Sequence, residues 1–230
     1  LVFVAENVKG LLSANGGRAI KRIQRDFEDC GYRLHTSVCN FADYGVAQIR
    51  ERVLIIGISE ELNVRFAPPD YTHAPREQAE KSGLRPYLAS SKALEGVEQV
   101  KYNNEHQNLK QKTKDMLSII PPGGNFTDIP KDHPLYVKGM ISHVYRRLHP
   151  EYPSKTIIAA GGGGTWGYHF KEPRSLTNRE RARLFGFPDD FVFYGSMAEV
   201  RRMIGNAVPP MGIEPILKSL FQLLEPPVKK

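Results

Sequence analysis

The stretch that most constrains the fold is Val53-Leu54-Ile55-Ile56-Gly57-Ile58, a run without a polar side chain. A run this short and this apolar reads as a strand covered on both faces of a sheet. Gln48, Arg50 and Arg52 stand just before it. In an extended chain, residues two apart point to the same side. One amide and two guanidiniums are therefore expected to project together, with Glu51 on the other side. Alone, this pattern reads as a solvated strand end. With a site beyond it, it reads as a scaffold that presents polar groups.

The neighbouring residues supply the other layers. Leu1-Val2-Phe3-Val4-Ala5 reads as a strand that runs into Glu6-Asn7-Val8, and because the chain opens inside an apolar run its natural start is expected upstream. A helix is predicted from Gly16-Gly17 to about Asp29, with Ile20, Ile23, Phe27 and Cys30 on one face and Gly31 as its stop. Tyr32 to Asn40 reads as a strand, and Phe41 to Ala47 as a loop. Strand, helix, strand, loop, strand is an α/β order. In parallel α/β sheets chemistry collects just past the carboxyl ends of strands, where Glu6 falls. Taken alone, Glu6 reads as an exposed loop carboxylate.

Further along, Pro68 to Ser118 is polar and reads in part as flexible surface. A helix is expected over 105–120, stopped by Pro121-Pro122-Gly123-Gly124. Lys101, Lys110, Lys112 and Lys114 suit either phosphate contact or a solvated helix face. Thr177 and Glu180 form a capping box that opens a helix ending at Gly186. Arg174, Arg179, Arg181 and Arg183 crowd this stretch, and some must hold carboxylates or phosphates. A helix is expected over 197–204. In the last helix, Ile213, Ile216, Leu217, Leu220, Phe221 and Leu224 form one amphipathic face, expected to pack on the sheet.

Charge and composition narrow the function. The net charge is +7, and residues 1–64 contribute none of it because 8 basic and 8 acidic groups cancel there. The excess lies mainly in 65–196, which favours a polyanionic partner, nucleic acid being the commonest. No apolar run approaches the roughly 20 residues of a membrane span, so no membrane partner is expected. The 7 histidines form no HxH or HExxH and there is no CxxC, so no metal is expected. Cys30 and Cys39 read as buried packing residues of an intracellular protein. Gly162 to Gly167 satisfies G-x-G-x-x-G after a strand, yet Tyr168-His169-Phe170 and Pro173 follow instead of a helix. That context excludes a dinucleotide site. A plain turn and a loop that approaches another surface both remain.

Four blocks occur in a recognisable order: Glu6-Asn7-Val8, Asp43 to Arg52 before the apolar strand, Arg174 to Leu184 with Phe187-Pro188-Asp189-Asp190-Phe191, and Gly205-Asn206-Ala207-Val208-Pro209-Pro210. Together they resemble the DNA (cytosine-5) methyltransferases. The resemblance implies the C-terminal half of a Rossmann-like methyltransferase α/β domain (1–64), an inserted small target-recognition domain (65–196) and helices returning to the catalytic domain (197–230). It implies methyl transfer from S-adenosyl-L-methionine to carbon 5 of a flipped cytosine in a specific sequence of double-stranded DNA. A bacterial, cytoplasmic restriction-modification setting would follow.

The same resemblance assigns roles. Glu6 would be the acid at ring nitrogen 3, which requires a raised pKa and a desolvated site. Arg52, helped by Arg50, would hold the base oxygen or a nearby phosphate. Asn7 and Gln48 would support the loop, and Asn206 and Val208 would close on the methyl donor. Lys155, Thr156, Gly163, Gly164, Thr165 and Arg174 would face DNA. Two departures matter. The family's glycine-rich donor loop and its Pro-Cys nucleophile precede the Glu-Asn-Val block, and neither occurs here. The chain is therefore expected not to turn over alone, and to need an N-terminal catalytic part in the same polypeptide or in a partner subunit. The alternative is a non-catalytic DNA-binding specificity subunit of the same fold. An acid at a strand end, with Arg50 and Arg52, favours the enzyme.

Overall fold

The computed structural model describes residues 1–139, 144–159 and 166–224. In chain order the first elements are β1 (Val2–Val8), α1 (Arg18–Asp29), β2 (Tyr32–Asn40) and β3 (Glu51–Ser59). They form a sheet of order β1-β3-β2 in which β3 runs antiparallel to both neighbours. This corrects the expectation of a parallel arrangement. Parallel neighbours need a crossover of roughly a dozen or more residues, usually a helix. Residues 41–50 instead make a turn, with a short 3-10 helix at Phe41–Tyr44, and send the chain back beside β2.

The apolar run does lie at the centre with both faces covered. Leu54, Ile56 and Ile58 meet Ile216 and Leu220 on one face. Val53 and Ile55 meet Ile20 on the other, with Phe3, Ile23 and Leu34 packed around them. The alternation of side chains along β3 thus builds three layers: α1, sheet, and the last helix, α7 (Pro210–Leu224). Gly57 is dictated by this packing. A Cβ there would collide with the ring of Phe3, which is held by Phe27 and Tyr32 at centroid distances of 4.3 and 5.1 Å.

Helix predictions shift at their ends, and the helix expected over 105–120 begins only at Gln111 as α4 (Gln111–Ile119). Cys30 is exposed rather than buried, because α1 ends at Asp29 and Gly31, at φ +80°, turns the chain off the apolar stripe. In α7, Ile213, Ile216, Leu220 and Leu224 join the sheet core, whereas Phe221, at the rim of the stripe, is 58% exposed. Cys39 is buried between β2 and α7, and burial pushes its thiol up to about 12. Ellman titration is therefore expected to find one fast thiol, Cys30, in the native protein, with Cys39 reacting only after denaturant. Two fast thiols in the native protein would contradict this packing.

The middle of the chain is more ordered than its polarity suggests. It carries β4 (His73–Ala74), α2 (Arg76–Ser82), β5 (Arg85–Pro86), α3 (Ser90–Ala93), α4 (Gln111–Ile119), β6 (Arg146–Arg147), β7 (Trp166–Tyr168) and α5 (Asn178–Leu184). Ala74, Ala79, Leu94, Val97, Met116 and Leu117 are buried, so the stretch expected in part as flexible surface contributes core residues. Leu94, Leu148, Ile157, Phe185 and Phe193 form one cluster, into which α6 (Met197–Asn206) inserts Val200 and Ile204. Met116, Ile120, Phe126 and Ile129 form a second, smaller one. The capping box is present: Thr177 Oγ1 accepts from the Glu180 N–H at 3.1 Å, and Glu180 Oε2 accepts from the Thr177 N–H at 2.8 Å.

Candidate functional site

β1 and β2 end, and β3 begins, at the same edge of the sheet. The register pairs Glu6 with Leu54 and Val8 with Arg52, so Arg52 is the diagonal neighbour of Glu6 on the α7 face. Arg52 Nε lies 2.8 Å from Glu6 Oε1, with the side chains 12% and 22% exposed. The contact is an ion pair by proximity. The N–H is not aimed along it, and Glu6 Oε1 is buried without a well-directed donor. Burial pulls the Arg52 guanidinium below its ordinary value, and the Glu6 carboxylate offsets part of that fall. Glu6 lies inside β1 rather than in a loop beyond it. Glu51 turns the other way, to Lys9 Nζ at 3.0 Å. The Asn7 side-chain Oδ1 accepts from the adjacent Val8 N–H at 2.8 Å.

Gln48 and Arg50 do not join Arg52 at Glu6. Both precede the first residue of β3, so the two-residue alternation does not reach them. Both are buried. Gln48 Oε1 accepts from the Ile157 N–H at 3.0 Å. Arg50 Nη1 donates to Ile157 O at 3.3 Å, and Nη2 to Gly205 O and Ala207 O at 3.0 and 3.1 Å. Its guanidinium lies 4.9 Å from the Phe185 ring centroid. Burial lowers Arg50 to about 10, with the nearby Arg52 adding to the fall. The sequence pattern placed three side chains in one cluster; the fold keeps Arg52 at Glu6 and turns the other two inward. Asn40 braces the same loop by accepting from the Ala42 and Arg50 N–H groups at 3.3 and 3.1 Å. Tyr87 adds a short hydrogen bond to Asp43, whose carboxyl burial pushes up.

A cleft of about 810 Å³ opens beside this loop, with Ile49 and Ile157 in its lining. Arg76, Lys92, Arg146, Arg147 and Lys155 line it, against the carboxylate of Glu151. The rings of His149 and Tyr152, 4.5 Å apart, form part of the wall. Neither Glu6 nor Arg52 lines it, so this cleft is separate from the acid–arginine pair. Arg76, Lys92, His149 and Tyr152 were not singled out by sequence reading. Only their charge or aromaticity marked them, and their convergence is tertiary.

The residues expected to face DNA divide. Lys155 is exposed in the cleft. The Thr156 hydroxyl donates to Ile49 O at 2.8 Å. Gly163, Gly164 and Thr165 lie outside the described residues. The N–H donors of Arg174 are engaged by Glu172, Glu180 and the Ser175 carbonyl. Arg174 braces the capping box. Asn206 is exposed at the end of α6, and Val208 packs half-buried on the sheet cluster. Among the described residues no group of His, Cys, Asp or Glu is placed to hold a metal, and no helix is long and apolar enough to cross a membrane.

Comparison with known proteins places this geometry in a family. The profile of C-5 cytosine-specific DNA methylase matches residues 1–222. Type II methyltransferase M.NgoFVII of Neisseria gonorrhoeae is 60% identical over 222 residues, covering 96% of this chain and 59% of the relative. Type II methyltransferase M.BbvI of Brevibacillus brevis is 44% identical, covering 96% and 58%. The chain thus spans less than two thirds of the length of these relatives. Among solved structures, an Escherichia coli protein assigned as a prophage DNA modification methyltransferase superposes with a TM-score of 0.68 at 22% identity, over 97% of this chain and 70% of that one. S. pombe Dnmt2 methyltransferase gives 0.58 at 14%, over 97% and 68%. These likenesses extend to the Rossmann-like methyltransferase fold. The chain belongs to the C-5 cytosine-specific DNA methylase family.

Proposed function

We propose that this chain is the part of a restriction-modification DNA (cytosine-5) methyltransferase that holds the target base, grips the duplex and closes on the methyl donor. The observation that carries this reading is the Glu6–Arg52 pair, largely buried at the strand edge of a chain of this family. Carbon 5 of cytosine is a poor nucleophile, and its activation drives negative charge toward ring nitrogen 3. Glu6 holds the proton at that nitrogen, and Arg52 donates to the base oxygen beside it. The cytosine must leave the duplex stack to reach them.

S-adenosyl-L-methionine, when bound, supplies the methyl group. The open amide of Asn206 beside the apolar side chain of Val208 fits a ligand that combines polar groups with a nucleoside. The basic side chains of the cleft fit a phosphate backbone, with Lys155 the residue placed for it. We also propose the division into a catalytic part (1–64), a target-recognition part (65–196) and returning helices (197–230). The small cluster around Met116 and the sheet cluster support it in outline, whereas α6 packs into the cluster of the middle region.

The attacking thiolate comes, in this reading, from residues outside this stretch, in the same polypeptide or in a partner subunit. Cys39 is buried, with a thiol held protonated up to about 12. Cys30 lies just before β2, whose first residue pairs with the last residue of β3, at the sheet end away from Glu6. The chain alone is therefore expected to bind duplex DNA without methylating it.

Titration of the chain with duplex DNA at several salt concentrations tests the grip. The expected log–log slope is about −0.9 per neutralised phosphate, and Lys155→Met should reduce its magnitude by about 0.9. A salt-independent affinity would remove the electrostatic basis. Radiolabelled methyl transfer by the complete enzyme, with the product base identified, tests the chemistry. Modification at any position but carbon 5 of cytosine would sink the reading.

A further inference from the structure

Arg50 joins two segments that lie far apart in the sequence. The segment 154–159 is stitched to residues 47–50 along its length. Ser154 N–H donates to Ala47 O and Ile49 N–H to Ser154 O, each at 2.9 Å. The Thr156 hydroxyl and the Ile157 N–H add bonds of 2.8 and 3.0 Å to Ile49 O and Gln48 Oε1. The segment then presses on the end of α6. A Cβ at Gly205 would collide with the backbone of Ile158 and Ala159. Arg50 sits between the two. One arm of its fork, Nη1, reaches Ile157, and the other, Nη2, reaches Gly205 and Ala207.

None of these partners is a carboxylate. The charge is spread over three backbone carbonyls and the face of Phe185. A planar fork can donate in two directions at once, which a lysine ammonium on one flexible stem does not reproduce. The two segments it spans carry different tasks in the proposed function: Lys155 faces the duplex, and Asn206 and Val208 face the methyl donor.

We propose that Arg50 is a positioning residue that makes segments 154–159 and 205–208 move as one unit, so that duplex DNA bound at Lys155 is felt at Asn206 and Val208. This rests on the DNA methyltransferase reading. By linkage the effect is reciprocal, and donor binding tightens or loosens the DNA grip by the same factor.

Hydrogen exchange on the full 230-residue chain tests the pin before any ligand is added. Arg50→Met is expected to speed exchange about tenfold at Ile157–Ala159 and at Gly205–Ala207 together. Gln48→Met touches only the Ile157 side and should speed exchange there alone. Loosening on one side only in Arg50→Met would overturn the proposal. Arg50→Lys keeps the charge without the fork and should behave like Arg50→Met. A lysine variant that matches the wild type would equally overturn it, and the milder change covers the case in which Arg50→Met does not fold.

Duplex DNA then tests the coupling. Bound DNA should slow exchange at 154–159 and at 205–207 in the wild type, and at 154–159 alone in Arg50→Lys. Slowing at 205–207 that survives in Arg50→Lys defeats the proposal while leaving the DNA reading intact. No DNA-induced change anywhere in the wild type defeats the DNA reading, and the coupling with it.

Discussion

Glu6→Gln in the complete methyltransferase is expected to lower kcat for methyl transfer by about a hundred- to ten-thousandfold, the usual worth of a positioned acid. Affinity for duplex DNA should stay within about threefold, because the cleft cations are separate from Glu6. Glutamine keeps the shape of the side chain and removes its ability to carry the proton. The ion pair with Arg52 is lost as well, but with both side chains in partial contact with solvent that costs about 1 kcal/mol or less. The thermal midpoint should accordingly move by a few degrees at most. Radiolabelled methyl incorporation under saturating donor and DNA measures the effect. A kcat within about threefold of the wild type would remove Glu6 from the chemistry and leave Arg52 without a substrate role built on it.

The two residues of that pair were legible in the sequence for different reasons. Glu6 follows an apolar run, and Arg52 precedes one. Local pattern sufficed for β2, for α1, for the Thr177–Glu180 capping box and for the stripe of α7, because alternation, helical periodicity and caps are properties of adjacent residues. Strand direction was not legible, since nothing within β3 says whether its neighbours run with it or against it. Arg50 shows the same limit at the level of a side chain. Two-residue spacing predicted a shared face with Arg52, but the strand begins only at Glu51, and Arg50 finds its partners more than a hundred residues away. Arg174 was read as open to phosphate, and two nearby glutamates occupy it instead. The cleft was the least legible feature, because its cations are scattered between residues 76 and 155 and only folding brings them together.

Arginines held by carbonyls lead to the second large effect, at a residue that sequence reading passed over. Arg147→Met is expected to destabilise the protein by about 4 kcal/mol, in the range for removing one member of a buried polar network. Arg147 is buried in β6 and donates to four backbone carbonyls: His169 O at 3.0 Å, Leu117 O at 2.9 Å, Ile120 O at 2.7 Å and Phe170 O at 2.6 Å. Leu117 O and Ile120 O lie at the end of α4, where a helix leaves its last carbonyls without intrahelical donors. His169 and Phe170 follow β7 directly. One guanidinium thus caps a helix and closes the turn beyond a strand. Burial alone lowers its pKa, with no carboxylate acting on it.

Methionine fills similar space but leaves those carbonyls facing an apolar side chain, each at a cost of about 1–3 kcal/mol where water does not reach it. For a chain of this size about 4 kcal/mol corresponds to a fall in Tm of roughly 8–16 °C. The loss should spread to the cleft, because Arg147 itself lines it together with Arg146, Leu148 and His149 from the same strand and its continuation. Arg147→Met should therefore weaken DNA binding at temperatures where Lys155→Met still folds normally. Arg147→Lys, with three donors in place of five, should fall between the two. Thermal unfolding followed by circular dichroism, with DNA affinity measured in parallel, distinguishes these outcomes. A Tm within about 3 °C of the wild type in Arg147→Met would mean that water takes over the four carbonyls and that β6 and α4 hold together without the clamp.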